Sequence, residues 1–235
     1  LVASCDLNDS VGVIDKFFPN SRFYKTEASF KKFLISNHKL VDFLVICTPN
    51  YLHKDHIMMG IENNTNIICE KPLLIDTSLS KKIIELSKLK KKNIYCILQL
   101  RLNKKLNSFK SKIDSKRFYS CELNYKAPRG NWYDLSWKSN NLKSGGILFN
   151  IGVHLFDILI WLFGKCKKFE ILNYEKRHST GLLFFNNAKV KWNLEIDKPI
   201  NTFNTKGLRT LKINKKLYDL SSSFLDSHSN CYKEI

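Results

Sequence analysis

Arginine is scarce in this sequence. Of 39 basic residues only six are arginine (Arg22, Arg101, Arg117, Arg129, Arg177 and Arg209), against 21 acidic residues and a net charge of +18. Nucleic-acid faces draw on guanidinium forks for bidentate contacts. Here lysine is spread along the chain beside abundant Asn, Ile and Phe, the composition that AT-rich coding produces, so the charge reads as a solvated surface and a nucleic-acid partner is not expected. The C-x-x-C spacing is also missing. Seven cysteines (Cys5, Cys47, Cys69, Cys96, Cys121, Cys166 and Cys231) form an odd set, several of them inside apolar runs. That pattern argues against a disulfide framework and a metal site, and predicts reduced core thiols in a cytoplasmic protein. A basic segment followed by an apolar one does not open the chain, so no signal peptide is expected. Internal repeats and low-complexity linkers are absent too. What is there is 235 residues, 43% hydrophobic and 12% aromatic, enough for one large or two modest domains with packed cores.

The longest apolar run is Gly145 to Gly164, apolar on every side, as in a buried helix. Asn150, His154 and Asp157 interrupt it at i, i+4 and i+7, which stacks them on one helical face. The run approaches membrane-spanning length, but three polar groups at its centre predict a core helix and no membrane span. Buried polar groups need partners, so the three either satisfy one another and nearby backbone or line a cavity where chemistry happens.

Upstream, strands and helices alternate. Leu1–Asp6 reads as a short strand, 10–18 as a short helix, and Glu27–Asn37 as a helix with Phe30, Phe33 and Leu34 inward. Val41–Cys47 is an apolar run of the kind covered on both faces in parallel sheets. Tyr51–Asn63 follows as a helix and Thr65–Cys69 as a strand. Asp76 or Thr77 then caps a helix to about Lys91, and Ile94–Leu98 is a strand. This order predicts an α/β fold, a Rossmann-type parallel-sheet domain over residues 1–98. From Gln99 the pattern changes. A helix over Leu106–Ile113, an alternating strand over Phe118–Lys126, a loop rich in Trp and Gly, the apolar helix, and strands over Phe169–Arg177, Thr180–Phe185, Lys189–Ile196, Leu208–Ile213 and Lys216–Leu220 predict an α+β domain over 99–235 with a mainly antiparallel sheet.

In open α/β sheets ligands lie at the carboxyl ends of strands. Asp6 ends the first strand, Thr48-Pro49-Asn50 the second, with His53 one turn on, and Glu70-Lys71-Pro72 the third. Pro72 biases Lys71 to an extended backbone. An acid such as Asp6 at the end of a second Rossmann strand binds the ribose hydroxyls of a dinucleotide, although an Asp after a strand is commonly just a turn residue. The G-x-G-x-x-G loop that should stand about 20 residues before such an acid is missing, because only five residues precede Asp6. The chain is therefore expected to begin at the second strand of the nucleotide domain.

Cys47-Thr48-Pro49-Asn50-Tyr51-Leu52-His53, Glu70-Lys71-Pro72, and Gly145-Gly146-(x)3-Asn150-Ile151-Gly152-Val153-His154-(x)2-Asp157, in this order, resemble the Gfo/Idh/MocA family of NAD(P)-dependent sugar oxidoreductases. Arg129-Gly130-Asn131-Trp132-Tyr133-(x)2-Ser136-Trp137-Lys138, Lys143-Ser144-Gly145-Gly146 and Asp226-Ser227-His228 before Tyr232 resemble its UDP-N-acetyl-2-amino-2-deoxyglucuronate 3-dehydrogenase branch. That branch oxidises C3 of a UDP-sugar in bacterial O-antigen and polysaccharide synthesis.

The resemblance implies roles. His154 is the general base for the C3 hydroxyl, and Lys71 approaches substrate and nicotinamide to steady the developing alkoxide or relay its proton. Asn150 hydrogen-bonds a sugar hydroxyl, and Asp157 either orients the His154 ring or is structural. Arg129 is a candidate for the substrate's carboxylate or diphosphate. Trp132, Tyr133 and Trp137 either wall the sugar site or pack. Asp6, Thr48, Asn50, His53, Glu70, Lys71, Gln99 and Arg101 are the expected cofactor contacts, with Gln99 and Arg101 at the nicotinamide end. Asp6 favours NAD, since it repels a 2′-phosphate. His38, His56 and His178 read as surface or packing histidines. The resemblance also implies a homo-oligomer formed through the sheet face, and reoxidation of reduced NAD within the same active site by a 2-oxo acid.

Two other readings compete: another sugar or cyclitol dehydrogenase, such as a UDP-N-acetylglucosamine 3-dehydrogenase, and a truncated non-catalytic remnant that only oligomerises. Without the glycine loop, the 235-residue chain is expected to bind NAD weakly or to misfold, with one sheet edge unpaired. Calorimetry checks this, and micromolar NAD affinity is the contrary result.

Overall fold

The computed structural model describes residues 1–8, 12–197, 207–221 and 227–235. They form two units. Leu1–Thr48, Leu52–Glu70 and Asp76–Tyr95 make the first, and Pro49–Tyr51, Lys71–Ile75 and Cys96–Ile235 the second.

The first unit runs β1 (Ala3–Cys5), α1 (Gly12–Phe17), β2 (Arg22–Tyr24), α2 (Glu27–Asn37), β3 (Phe43–Ile46), α3 (His53–Glu62), β4 (Asn66–Cys69) and α4 (Ser80–Leu89), and then β5 (Ile94–Cys96). β1 pairs in parallel with β2, and β3 in parallel with β4, which neighbours β5. The parallel strands appear as two sheets, because no ladder joins β1 to β3 among the described residues. α2 has the predicted limits and buries Phe30, Phe33 and Leu34, and its N-cap Thr26 accepts a hydrogen bond from the Ser29 amide. β3 departs from expectation. Phe43 and Val45 are 40% and 47% exposed while Leu44 and Ile46 are buried, so this strand is covered on one face only. α4 also starts later than predicted. Asp76 spends its carboxylate on the Ser78 amide and hydroxyl in a tight turn, and the helix begins at Ser80. The short strand β2 went unforeseen.

The second unit holds α5 (Lys104–Lys110), β6 (Tyr119–Pro128), α6 (Trp132–Leu135), α7 (Asn141–Ser144), α8 (Val153–Phe163), β7 (Lys168–Tyr174), β8 (His178–Phe184), β9 (Ala188–Asp197), β10 (Leu208–Ile213), β11 (Lys216–Asp219) and α9 (Ser227–Lys233). Its six strands lie in the order β11-β10-β6-β9-β8-β7, antiparallel except for the parallel β6–β9 pair. β6 and β9 alternate strictly. Leu123 and Tyr125 on one, and Trp192 and Leu194 on the other, turn to the same core as Leu155, Ile158 and Leu159 of α8. This burial accounts for the apolar character of the long helical stretch Asn141–Phe163, which by length and composition alone could cross a membrane. Gly145, at a φ of 79°, ends α7 in the left-handed region that glycine favours.

All seven cysteines are free thiols. Cys69, Cys121 and Cys231 are buried, and burial pushes the Cys121 thiol up to about 12. Cys47 is exposed, which departs from the core reading and follows from the open face of β3.

Gly181 of β8 has no room for a side chain: a methyl group there would meet the Glu170 carbonyl oxygen and the Trp192 ring. Gly181→Ala is expected to cost ~1–3 kcal/mol by overpacking, read as a lower thermal midpoint. Gly12→Ala, with nothing within 4 Å, is expected to leave the midpoint unchanged or raised.

Candidate active site

The site residues meet within the second unit. Lys71 enters it on the Lys71–Ile75 segment, directly after Glu70. Its Nζ donates to the main-chain carbonyl oxygen of Asn150 at 2.7 Å. Asn150 stands in a π-helical turn, Leu148–Gly152, that leads into α8. Such turns depart from the regular helical ladder and recur at functional sites. The Asn150 side chain lies close enough to the Tyr133 hydroxyl to offset part of the rise that burial gives its pKa, and its Nδ2 lies 3.4 Å from the Lys138 carbonyl oxygen. Asn50, on the Pro49–Tyr51 segment of the same unit, donates its Nδ2 to the Ser144 carbonyl oxygen at 2.8 Å. It pins the turn before the π-helix.

His154 opens α8 and is 8% exposed. Its pKa lies well below the ordinary 6.5, chiefly because burial penalises the charged ring, and then through the positive charges of Lys71, Arg209 and His228. A neutral imidazole is a competent proton acceptor. Asp157 does not orient it. Both carboxylate oxygens of Asp157 take Arg101, from Nε at 2.8 Å and Nη2 at 2.5 Å. The π-helical turn breaks the regular spacing of the expected polar stripe, and the guanidinium draws Asp157 to its own side. Arg101 therefore braces α8 from the 3-10 turn Gln99–Leu102. Gln99 is buried and its Nε2 meets His228 Nε2 of α9 at 3.1 Å.

The loop after β6 carries cations over rings. Arg129 lies 5.9 Å and Lys138 5.5 Å from the Trp132 ring centroid, and Lys138 lies 5.7 Å from that of Trp137. Trp132 is 48% exposed and Trp137 half-buried, so both have surface to offer a ligand, whereas Tyr133 is buried under Arg177. Arg177 in turn holds Asp134 at 2.8 Å.

The remaining expected cofactor residues belong to the first unit. Asp6 follows β1, exposed, with Oδ1 accepting the Asn8 amide at 2.8 Å. An exposed carboxylate at the carboxyl end of a parallel strand has the chemistry to take ribose hydroxyls, so the unit fits a dinucleotide there. Thr48 follows β3 and Glu70 follows β4, both half-buried. His53 is fully buried, with Nε2 2.8 Å from the Thr48 carbonyl oxygen, and so braces the strand end. His56 is more than a packing residue: its Nδ1 meets the Thr48 hydroxyl at 2.9 Å and its Nε2 lies 3.5 Å from Glu27. His38 is on the surface, and His178 sits between Asn173 and Asn193.

Sequence reasoning gave no role to Arg209, Lys138 or His228. Arg209 had a legible signal: in Leu208–Ile213 it falls in phase with Leu211 and Ile213, a charge in the apolar register. Asp226, of the motif that precedes Tyr232, lies outside the described residues.

A depressed histidine pKa makes the folded state bind fewer protons than the unfolded chain between the folded value and about 6.5. Stability therefore falls as pH drops below about 6.5 and levels off below the folded pKa. His154→Gln is expected to lose less thermal midpoint than the parent between neutral and mildly acidic pH. An NMR titration of the His154 ring should move upward in Lys71→Met, because one of the opposing charges is gone.

Residues 3–97 match the oxidoreductase family's NAD-binding Rossmann fold, and residues 110–197 its C-terminal alpha/beta domain. Among solved structures, the WlbA (WbpB) dehydrogenase from Thermus thermophilus is similar at 32% identity and a TM-score of 0.92. It was solved with NAD and UDP-GlcNAcA and with NAD and alpha-ketoglutarate, and the match covers 100% of this chain and 78% or 79% of that one. Two curated relatives are the 2,7-anhydro-N-acetylneuraminate hydratase of Escherichia coli, 26% identical over 54% of this chain, and an inositol 2-dehydrogenase of Corynebacterium glutamicum, 31% identical over 53%. The chain spans about a third of the length of these curated relatives, 35% and 36%. With both family domains matched in order and a relative at this identity along the whole chain, the protein belongs to the Gfo/Idh/MocA oxidoreductase family.

Proposed function

We propose that the chain carries the substrate half of an NAD-dependent dehydrogenase that oxidises the C3 hydroxyl of a UDP-N-acetylglucosaminuronate-type sugar. The observation that carries the reading is the placement of a neutral, buried His154 with the Lys71 ammonium, which is fixed to the carbonyl of Asn150 beside it. The likeness to the Thermus protein, solved with UDP-GlcNAcA, supports the choice of sugar. The inositol 2-dehydrogenase match supports the broader class of sugar and cyclitol alcohols.

Nicotinamide, when bound, supplies the hydride acceptor. The chain's own groups handle the proton and the charge. The imidazole of His154 takes the C3 hydroxyl proton, for which a neutral ring is required. The Lys71 ammonium stabilises negative charge as it develops on that oxygen, and its bond to the Asn150 carbonyl holds it in place beforehand. The Asn150 amide, steadied by Tyr133, binds a neighbouring hydroxyl. Arg129 and Lys138, set over the Trp132 ring, fit the diphosphate. Asp6 takes the cofactor ribose, while Arg101 acts through Asp157 to position α8. Phe169 and Leu172 stand exposed on the edge strand β7, and a second copy of the chain is the partner we assign to that sheet.

Incubating the protein with UDP-N-acetylglucosaminuronate, excess NAD and 2-oxoglutarate should yield the 3-keto sugar by mass spectrometry. Its absence at an NAD concentration that calorimetry shows to be saturating refutes the reading. His154→Gln and Lys71→Met are each expected to lower turnover about 10²–10⁴-fold without lowering the thermal midpoint by more than a few degrees. Full activity in either variant removes that residue from the mechanism.

A further inference from the structure

α6 is a single turn of four residues, too short to hold its shape without contacts from the rest of the fold. Its tether is Arg177, which stands between β7 and β8. The guanidinium takes both carboxylate oxygens of Asp134, from Nε at 3.3 Å and from Nη2 at 2.8 Å. Its central carbon lies 5.2 Å from the ring centroid of Tyr133. One cation thus engages two successive residues of α6, an acid through its fork and a ring through its charge. Lys176 adds a second contact, with Nζ 3.3 Å from Asp134 Oδ1.

Arg177 is itself fixed to the sheet. Its carbonyl oxygen accepts the Ile196 amide at 2.7 Å, and its Nη1 donates to the Ile196 carbonyl oxygen at 3.4 Å. The next residue of β9 holds the same loop a second time, because the Asp197 carbonyl oxygen accepts the Arg129 amide at 2.9 Å. The end of β9 therefore fastens the loop directly where it begins, and through Arg177 at α6. The Arg177 side chain is only 18% exposed, so its pair with Asp134 is screened less than one on an open surface. A bidentate pair adds geometric specificity as well as energy.

What the tether fixes is Tyr133. This ring is buried in the same core as Ile147 and Ile151, which bracket Asn150 in the sequence, and its hydroxyl lies beside the Asn150 side chain. Contacts thus run from the end of β9 through Arg177 and Tyr133 to Asn150, all inside the second unit. We infer that Arg177 is a positioning residue for the sugar: it seats Tyr133 against Asn150, and so sets the angle at which the Asn150 amide meets a sugar hydroxyl. This rests on the nucleotide-sugar reading above and deepens it. Hydrogen bonds weaken steeply as they leave a straight line, so a small rotation of α6 is read as lost affinity. Lysine at position 177 keeps the charge but lacks the fork, and a point charge does not hold α6 in angle.

Two measurements test this. In the free protein, the side-chain amide signals of Asn150 in an NMR spectrum are expected to shift in R177K, with no ligand or cofactor needed. In calorimetry without cofactor, R177K is expected to weaken the binding of UDP-N-acetylglucosaminuronate about threefold to tenfold, the worth of one hydrogen bond. The same substitution made in Y133F, which lacks the hydroxyl beside Asn150, is expected to cost no further affinity. A residue that only stabilised its hairpin would weaken both backgrounds alike. D134N unmakes the same fork from the other side and carries the same test should R177K fold poorly by circular dichroism. Additive losses in the double variant, full affinity in the single one, or unmoved Asn150 signals overturn the inference while the nucleotide-sugar reading stands. A parent chain that does not bind the sugar nucleotide overturns both.

Discussion

The bond from the Lys71 ammonium to the main-chain carbonyl of Asn150 is the contact on which the site depends. It joins the residue that leaves the third strand end to the π-helical turn at the head of α8. A lysine is flexible, with four carbons of rotamer freedom to lose, and a backbone acceptor fixes its charge without adding a titratable partner. A carboxylate in that place would neutralise the ammonium and raise the His154 pKa. The Lys71 charge lowers the His154 pKa, second only to burial.

That electrostatic arrangement is built by packing as much as by charge. α8 is buried on the sheet through Leu155, Ile158 and Leu159, which carries His154 into the interior and makes its protonation costly. The helix is then braced from outside. The Gln99–Leu102 turn sends Arg101 to Asp157 and Gln99 to His228, so one short segment ties α8 and α9 to the same place. The Arg101–Asp157 pair is half exposed on the arginine side, so its worth to stability is about 1 kcal/mol or less. Its bidentate geometry matters more for orientation than for free energy.

Much of this was legible in the sequence wherever a local rule sufficed. The limits of α2, its inner face, the alternation of β6 and β9, and the burial of the Gly145–Gly164 helix all follow from periodicity and capping. Family motifs pointed to Lys71, Asn150 and His154, which the second unit does bring together. Other features depend on partners distant in sequence. The parallel pairing of β6 with β9 crosses some 70 positions, and nothing local encodes it. Asp157 shares a helical stripe with His154, yet an arginine 56 positions away takes its carboxylate. His53 and Asn50 sit in a cofactor-like motif but spend their side chains on the carbonyls of Thr48 and Ser144.

Arg209 shows a different kind of signal, one that is local but easily passed over. A strand read only for its apolar alternation treats a charged residue in the apolar phase as noise. Physically it is the reverse. Desolvating a guanidinium costs several kcal/mol, so an inward arginine persists only where a ring, a hydroxyl or a ligand takes up its field. Tyr125 provides the ring and the hydroxyl, and both are neutral. Its positive charge reaches His154 together with those of Lys71 and His228, and all three oppose protonation of the ring. The same charges that oppose protonation of the histidine leave its ring able to accept a proton. An arginine on a strand thus bears on the protonation state of a histidine on a helix, a coupling that only the folded chain displays.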